Sequence, residues 1–160
     1  MRRERIAKLW PLTPAAASKA DNIRKFEEVG THPAANHNAI AEALVFHQAI
    51  GIERKSARLR YLTDRWATRL EKHPRVKILS SRQKDQAWGL GNVSLEGVDV
   101  SKAYEFLWSK YRVITAAIKR QDYQGLRITP NIYSTLDEID TFSGGVEDLL
   151  KNGPAAATQA

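Results

Sequence analysis

The 160-residue chain contains no cysteine. It can therefore hold no disulfide, no thiolate metal site and no cysteine nucleophile. That suits a reducing compartment, and a cytoplasmic location is expected. No apolar run reaches the length of a transmembrane helix, so no membrane partner is expected. Arg2, Arg3 and Arg5 imitate the basic start of a secretory signal. Pro11, Pro14 and Lys19 then follow with no clean apolar core, which argues against one. His32, His37, His47 and His73 do not carry the i,i+4 spacing that sets two imidazoles on one helix face for zinc. There is no internal repeat, and no helix-turn-helix, RNA-recognition or zinc-finger pattern.

What is abundant is positive charge. The formal net charge is +7, which raises the possibility of a polyanionic partner, since Lys and Arg neutralise phosphates. Arg54, Lys55, Arg58, Arg60, Arg65, Arg69 and Lys72 instead fall on more than one side of one helix. They are interrupted by Glu53, Asp64 and Glu71, which favours a solvated basic surface over a nucleic-acid site.

A chain of this length can bury about 68–70% of its unfolded surface, so a real core is expected. Residues 1–32 read as an irregular arm and residues 33–73 as two long linking helices. The first helix carries Ala39, Ile40, Ala43, Leu44 and Ile50; the second carries Leu59, Leu62, Trp66 and Leu70. Residues 74–152 form a small domain. Val76 and Ile78, then Trp88 and Leu90, read as two short strands, with Gly89, Gly91 and Gly97 suggesting a bulged or twisted second strand. Asp99 caps a helix bearing Val100, Ala103, Leu107, Trp108 and Tyr111. Residues 113–118 form a further strand. Trp66, Trp88 and Trp108 are expected in the core, with Trp10 outside it. Residues 153–160 read as a disordered tail. The order is long helices followed by a ββαββα unit. That is an α/β protein of the α+β small-domain kind, with helices on one face of a small sheet.

The most informative stretch is 125–140. Leu126 and Ile128 alternate with Arg127 and Thr129, so Arg127 faces away from the apolar side. Pro130 ends the pairing because it has no N–H to give a ladder. Thr135 and Glu138 form a capping box. Ile139, Phe142, Val146, Leu149 and Leu150 then recur at helical spacing. Gly144 and Gly145 inside that helix suggest a kink or fraying. A guanidinium fixed at a strand end is well shaped for two-point capture of a carboxylate.

Arg127, Thr129, Tyr133, Ser134, Thr135, Glu138, Ile139 and Asp140 together resemble the C-terminal domain of the class V aminotransferase superfamily of pyridoxal-phosphate enzymes, which includes cysteine desulfurases and isopenicillin N epimerase-like proteins. Residues 23–40 resemble that family's Gly-Thr turn, here Gly30 and Thr31, and the helix after it. The resemblance runs from about Arg3 to Leu150. It implies the small C-terminal domain of a fold type I enzyme and an arm, residues 1–32, belonging to the large cofactor domain. It implies Arg127 on the α-carboxylate of an amino-acid substrate. It implies Gly30 and Thr31 on the cofactor phosphate of a neighbouring subunit, and hence a homodimer or a separate cofactor domain as partner. His32, Asn131 and Tyr133 would line the site. The lysine that holds the cofactor lies N-terminal to the matched region in family members, so no catalytic residue is expected in this chain, nor activity from it alone.

Each residue also has a plainer reading. Arg127 could be a surface strand arginine, and Gly30-Thr31 an ordinary helix-entry turn. Asn131 and Tyr133 could serve only the turn they occupy. Besides the enzyme-segment reading, a non-catalytic pseudo-enzyme or split-subunit interaction protein remains open, and a basic nucleic-acid-binding module less so.

Overall fold

The computed structural model describes residues 3–11, 17–27, 30–31, 33–84, 86 and 89–153. His32, Trp88 and the proposed disordered tail from Pro154 onward lie outside the described residues. The chain divides into two compact units, residues 1–49 and 50–160.

The first unit holds a short helix α1 (Arg3–Ile6), two 3-10 turns (Ala17–Lys19 and Ile23–Phe26) and almost all of α2 (Ala34–Ile50). The organising residue of its first part is Lys25, which is buried. Its Nζ donates to the carbonyls of Ile6 and, at 2.7 Å, Ala20. The ammonium is thereby satisfied by backbone oxygens, as a buried charge requires. Helix α2 has no buried residue. Trp10 is 93% exposed.

The second unit comprises α3 (Ile52–Leu70), β1 (Val76–Ile78), β2 (Gly91–Leu95), α4 (Val100–Tyr111), β3 (Ala116–Lys119), β4 (Gln124–Ile128) and α5 (Leu136–Asn152). Its ββαββα order is the one the sequence implied. The four strands lie in the order β1-β2-β4-β3, every neighbouring pair antiparallel. One face of the sheet sends Val93, Leu95, Leu126 and Ile128 into a core shared with Leu62, Trp66 and Leu70 of α3, Leu107 of α4, and Phe142 and Val146 of α5. The helices therefore all pack on that face. Each large side chain removed from water here contributes about 1.5–3 kcal/mol.

Several expectations need correcting. The second strand begins at Gly91, not near Trp88, and its register runs unbroken against both neighbours, with no bulge. Gly91 answers to packing instead, because a methyl group there would run into the Trp66 ring. Strand β3 starts at Ala116, three residues later than the β-branched run suggested. Residues 113–115 are spent leaving α4, whose C-terminal cap, Arg112, takes a left-handed φ of 57°. Trp108 is 39% exposed and lies against the Arg112 guanidinium rather than in the core. Helix α5 runs unbroken through Gly144 and Gly145. Gly145 is where it packs on Leu107 and Tyr111.

The basic run on α3 has structural employment. Arg65 grips Asp140 through two bonds of 2.8 and 2.6 Å, and Arg69 grips Glu147 through two of 2.7 Å. Arg58 donates to the Ser134 carbonyl at 2.9 Å. Arg65 and Arg69 recur on one side of α3 and clasp α5, while Arg58 holds the turn just before it. The clasp holds the Asp140 and Glu147 carboxyls below their ordinary range, chiefly through the arginine hydrogen bonds. Asp148 is held lower still by Lys110, Asn152 and Tyr111.

Candidate functional site

Arg127 sits on β4, which is paired on both sides. Leu126 and Ile128 point into the core and are buried; Arg127 points from the opposite, outer face and is exposed. Its ladder partners are Asn92 on β2 and Ala116 on β3. Two residues back on the same face is Gly125. The guanidinium thus rises from a floor of small residues, with one polar wall at Asn92. Among the described residues it makes no hydrogen bond and no ion pair, unlike Arg58, Arg65 and Arg69.

The chain that follows is rigidly built. Asn131 and Ser134 close a turn, with Ser134 N donating to Asn131 O at 2.9 Å and Asn131 N to Ser134 Oγ at 3.0 Å. Asn131 Oδ1 accepts from Ile132 N at 2.8 Å, so that side chain serves the turn. Thr135 Oγ1 accepts from Glu138 N, and Glu138 Oε2 accepts from Thr135 N at 2.8 Å, completing the capping box. Tyr133 is 78% exposed. It lines a cleft of about 560 Å³ with Arg112, Thr115 and Thr129; Arg127 and Asn131 are not among the residues lining it.

Gly30 and Thr31 lie in the first unit. Gly30 takes a φ of 97°, a conformation that favours glycine, and a methyl group there would meet nothing within 4 Å. Both residues are exposed, and neither makes a hydrogen bond within the described residues. Two backbone N–H groups and a hydroxyl are donors of the kind that fit one edge of a phosphate. Among the described residues no His, Asp and Glu group is placed to hold a metal, and no helix is long and apolar enough to cross a membrane.

Sequence reasoning missed two residues of this site. Asn92 could not be singled out, because its relation to Arg127 depends on a register that no local pattern fixes. Gly125 looked like an ordinary turn residue.

The fold is shared with part of several solved proteins. A cysteine desulfurase from Thermococcus onnurineus superposes with a TM-score of 0.68 at 20% identity, over 79% of this chain and 34% of that one. The S-sulfonic acid form of a cysteine desulfurase from Escherichia coli gives 0.66 at 21% identity, over 78% and 32%. A NifS-like protein from Rickettsia africae gives 0.69 at 12% identity, over 89% and 40%. In sequence, isopenicillin N epimerase of Streptomyces clavuligerus is 27% identical over 140 residues, which is 85% of this chain and 35% of that protein. The aminotransferase class-V profile matches residues 13–142. The chain belongs to the class V aminotransferase family, within the pyridoxal-phosphate-dependent superfamily. It spans about a third of the length of the curated relative it matches.

Proposed function

We propose that this chain supplies the substrate-carboxylate site and a subunit contact of a pyridoxal-phosphate enzyme that acts on amino acids. The observation that carries the reading is Arg127, a guanidinium unpaired among the described residues, on a doubly paired strand inside the span the family profile matches. Its planar fork can take both oxygens of an α-carboxylate. With the carboxylate gripped, rotation about its bond to Cα is restricted, and the bond to be broken at Cα keeps one direction. Thr31 and the N–H groups of the Gly30 turn would hold one edge of the cofactor phosphate in a neighbouring subunit. Pyridoxal phosphate, when bound, supplies the electron sink for charge developing at Cα. This chain's residues then bind and orient, and none of them moves a proton. The reading places the protein in the cytoplasm and gives the chain alone no covalent hold on the cofactor. The particular reaction, whether transamination, epimerisation or sulfur removal, is set outside these residues.

A second reading, an interaction subunit that docks on another cofactor-bearing chain, is favoured by α2. That helix is exposed on every side although Leu44, Val45 and Phe46 point three ways around it. The nucleic-acid reading is disfavoured, because Arg65 and Arg69 are committed to α5 and Arg58 to the Ser134 carbonyl just before it.

Calorimetric titration with an amino acid such as alanine tests the main reading. Arg127→Lys keeps the charge but loses the fork. The expected loss is about 1.5–3 kcal/mol, or roughly ten- to a hundredfold in affinity. Unchanged affinity would make Arg127 a surface residue. Tight, salt-dependent binding of RNA by the same preparation would restore the nucleic-acid reading.

A further inference from the structure

Asn92 and Arg127 face each other directly across the β2–β4 ladder. Directly opposed side chains on one face start about 4.5–5.5 Å apart at Cβ. The backbone of Asn92 is pinned on both sides: its N–H donates to Ser80 Oγ at 2.8 Å, and its carbonyl accepts from Leu79 N at 2.8 Å. Its side chain lies across Gly125, where a methyl group would run into Oδ1 and sit 2.8 Å from the Val93 carbonyl oxygen. Glycine at that position leaves room for the amide. Yet Asn92 Oδ1 is buried and, among the described residues, has no hydrogen-bond partner. A buried amide oxygen left unpaired keeps its full desolvation penalty, so an orphan of this kind calls for a donor. The nearest cationic donor by register is Arg127, itself unpaired among the described residues. Arginine has five N–H donors, and a carboxylate gripped in fork geometry uses two.

We infer that Asn92 is a positioning residue for Arg127: when a carboxylate draws the guanidinium down onto the outer face of the sheet, Asn92 Oδ1 accepts a third guanidinium N–H and fixes the plane of the fork. The inference rests on the reading of Arg127 as a carboxylate site. The two charges on the ligand-bound fork stay paired, and the orphaned oxygen is satisfied only in the bound state. The contact therefore adds to binding rather than to folding. Asn92 does not touch substrate; it acts through the arginine.

The test uses the full 160-residue chain, acetate as probe, and the NMR signal of the Arg127 Nε–H group. In the wild type, acetate is expected to shift that signal and slow its exchange with water. In Asn92→Val, a substitution that suits a strand, the same titration is expected to need about five- to tenfold more acetate, with the exchange no longer slowed. Asn92→Thr cannot reach across Gly125 and should match Asn92→Val; it also stands in if the valine variant fails to fold. Asn92→Asp keeps an acceptor and should retain slowed Nε–H exchange, even without acetate. Loss of slowing in that variant would count against the contact. If wild type, Asn92→Val and Asn92→Thr bind acetate equally, with equal protection, the role of Asn92 is overturned while Arg127 keeps its own. If acetate leaves the wild-type Arg127 signal unmoved, the carboxylate reading falls and the role of Asn92 falls with it.

Discussion

Helices α2 and α3 follow one another and are of similar length, 17 and 19 residues, yet they are opposites. Helix α3 buries Ser56, Leu62, Thr63, Trp66, Ala67 and Leu70 on one face, and its arginines clasp α5 from beside that face. Helix α2 buries nothing. It carries one acid, Glu42, no lysine or arginine, and apolar residues all round. Ile40, Leu44, Val45 and Phe46 are each more than half exposed. A helix with one apolar stripe is at home on the surface of a small domain; one that is apolar on every side is built for an interior. The contrast separates a domain that completes its own core from a helix that buries none of its apolar side chains; the proposed cofactor-domain or dimer contact would cover them.

Core truncation should break the comparison most visibly. Trp66→Ala is expected to cost about 3–5 kcal/mol in chemical denaturation, because it empties the centre of the core. Phe46→Ala on α2 should stay within about 0.5 kcal/mol, since that side chain leaves no cavity. Equal losses would mean that α2 is packed. Next comes Gly125→Ala, whose methyl group conflicts with the Val93 carbonyl oxygen and Asn92. A loss of about 1–3 kcal/mol is expected, as for other overpacked sites. Self-association sharpens the comparison from the other side. Leu44→Glu with Phe46→Glu should make α2 tolerant of water, so sedimentation should show less association than in the wild type, with the thermal midpoint little changed. Unchanged association would put the contact surface elsewhere.

The acid response should be smaller and graded. Asp140, Glu147, Asp148 and Asp99 all titrate lower in the folded chain than their ordinary values of 3.8 for Asp and 4.5 for Glu. A lowered folded pKa gives stability that is complete above the ordinary value and is lost as pH falls through the folded value. The thermal midpoint should thus hold from neutral pH to about 4.5 and decline below it. In Arg65→Ala with Arg69→Ala the decline should be shallower. Both pairs are partly exposed, with side chains 35–43% accessible, so solvent screening keeps the contribution of each small. An acid profile indifferent to both arginines would mean that the clasp does not form in solution.

Much of the second unit was legible before any coordinates. The capping box at Thr135 and Glu138, the Asp99 cap and the α5 stripe are local patterns in which cap chemistry and helical period agree. The outward aim of Arg127 followed from strand alternation alone. What escaped depended on contacts distant in sequence. The close approach of Trp66 from α3 to Gly91 could not be read locally, nor could the left-handed exit at Arg112 that precedes β3. The Asn92–Gly125 arrangement exists only once β2 and β4 are in register. The basic run on α3 gave no sign of its partners, because Asp140 and Glu147 lie more than seventy residues away.

The most direct test of the account is a crystal structure of the chain grown with a high concentration of a simple amino acid. The account predicts the α-carboxylate on the outer face of the sheet, with two N–H···O bonds of about 2.7–2.9 Å from the Arg127 guanidinium. A carboxylate bound elsewhere with Arg127 left in solvent, or Arg127 turned away onto a protein acid, would contradict it.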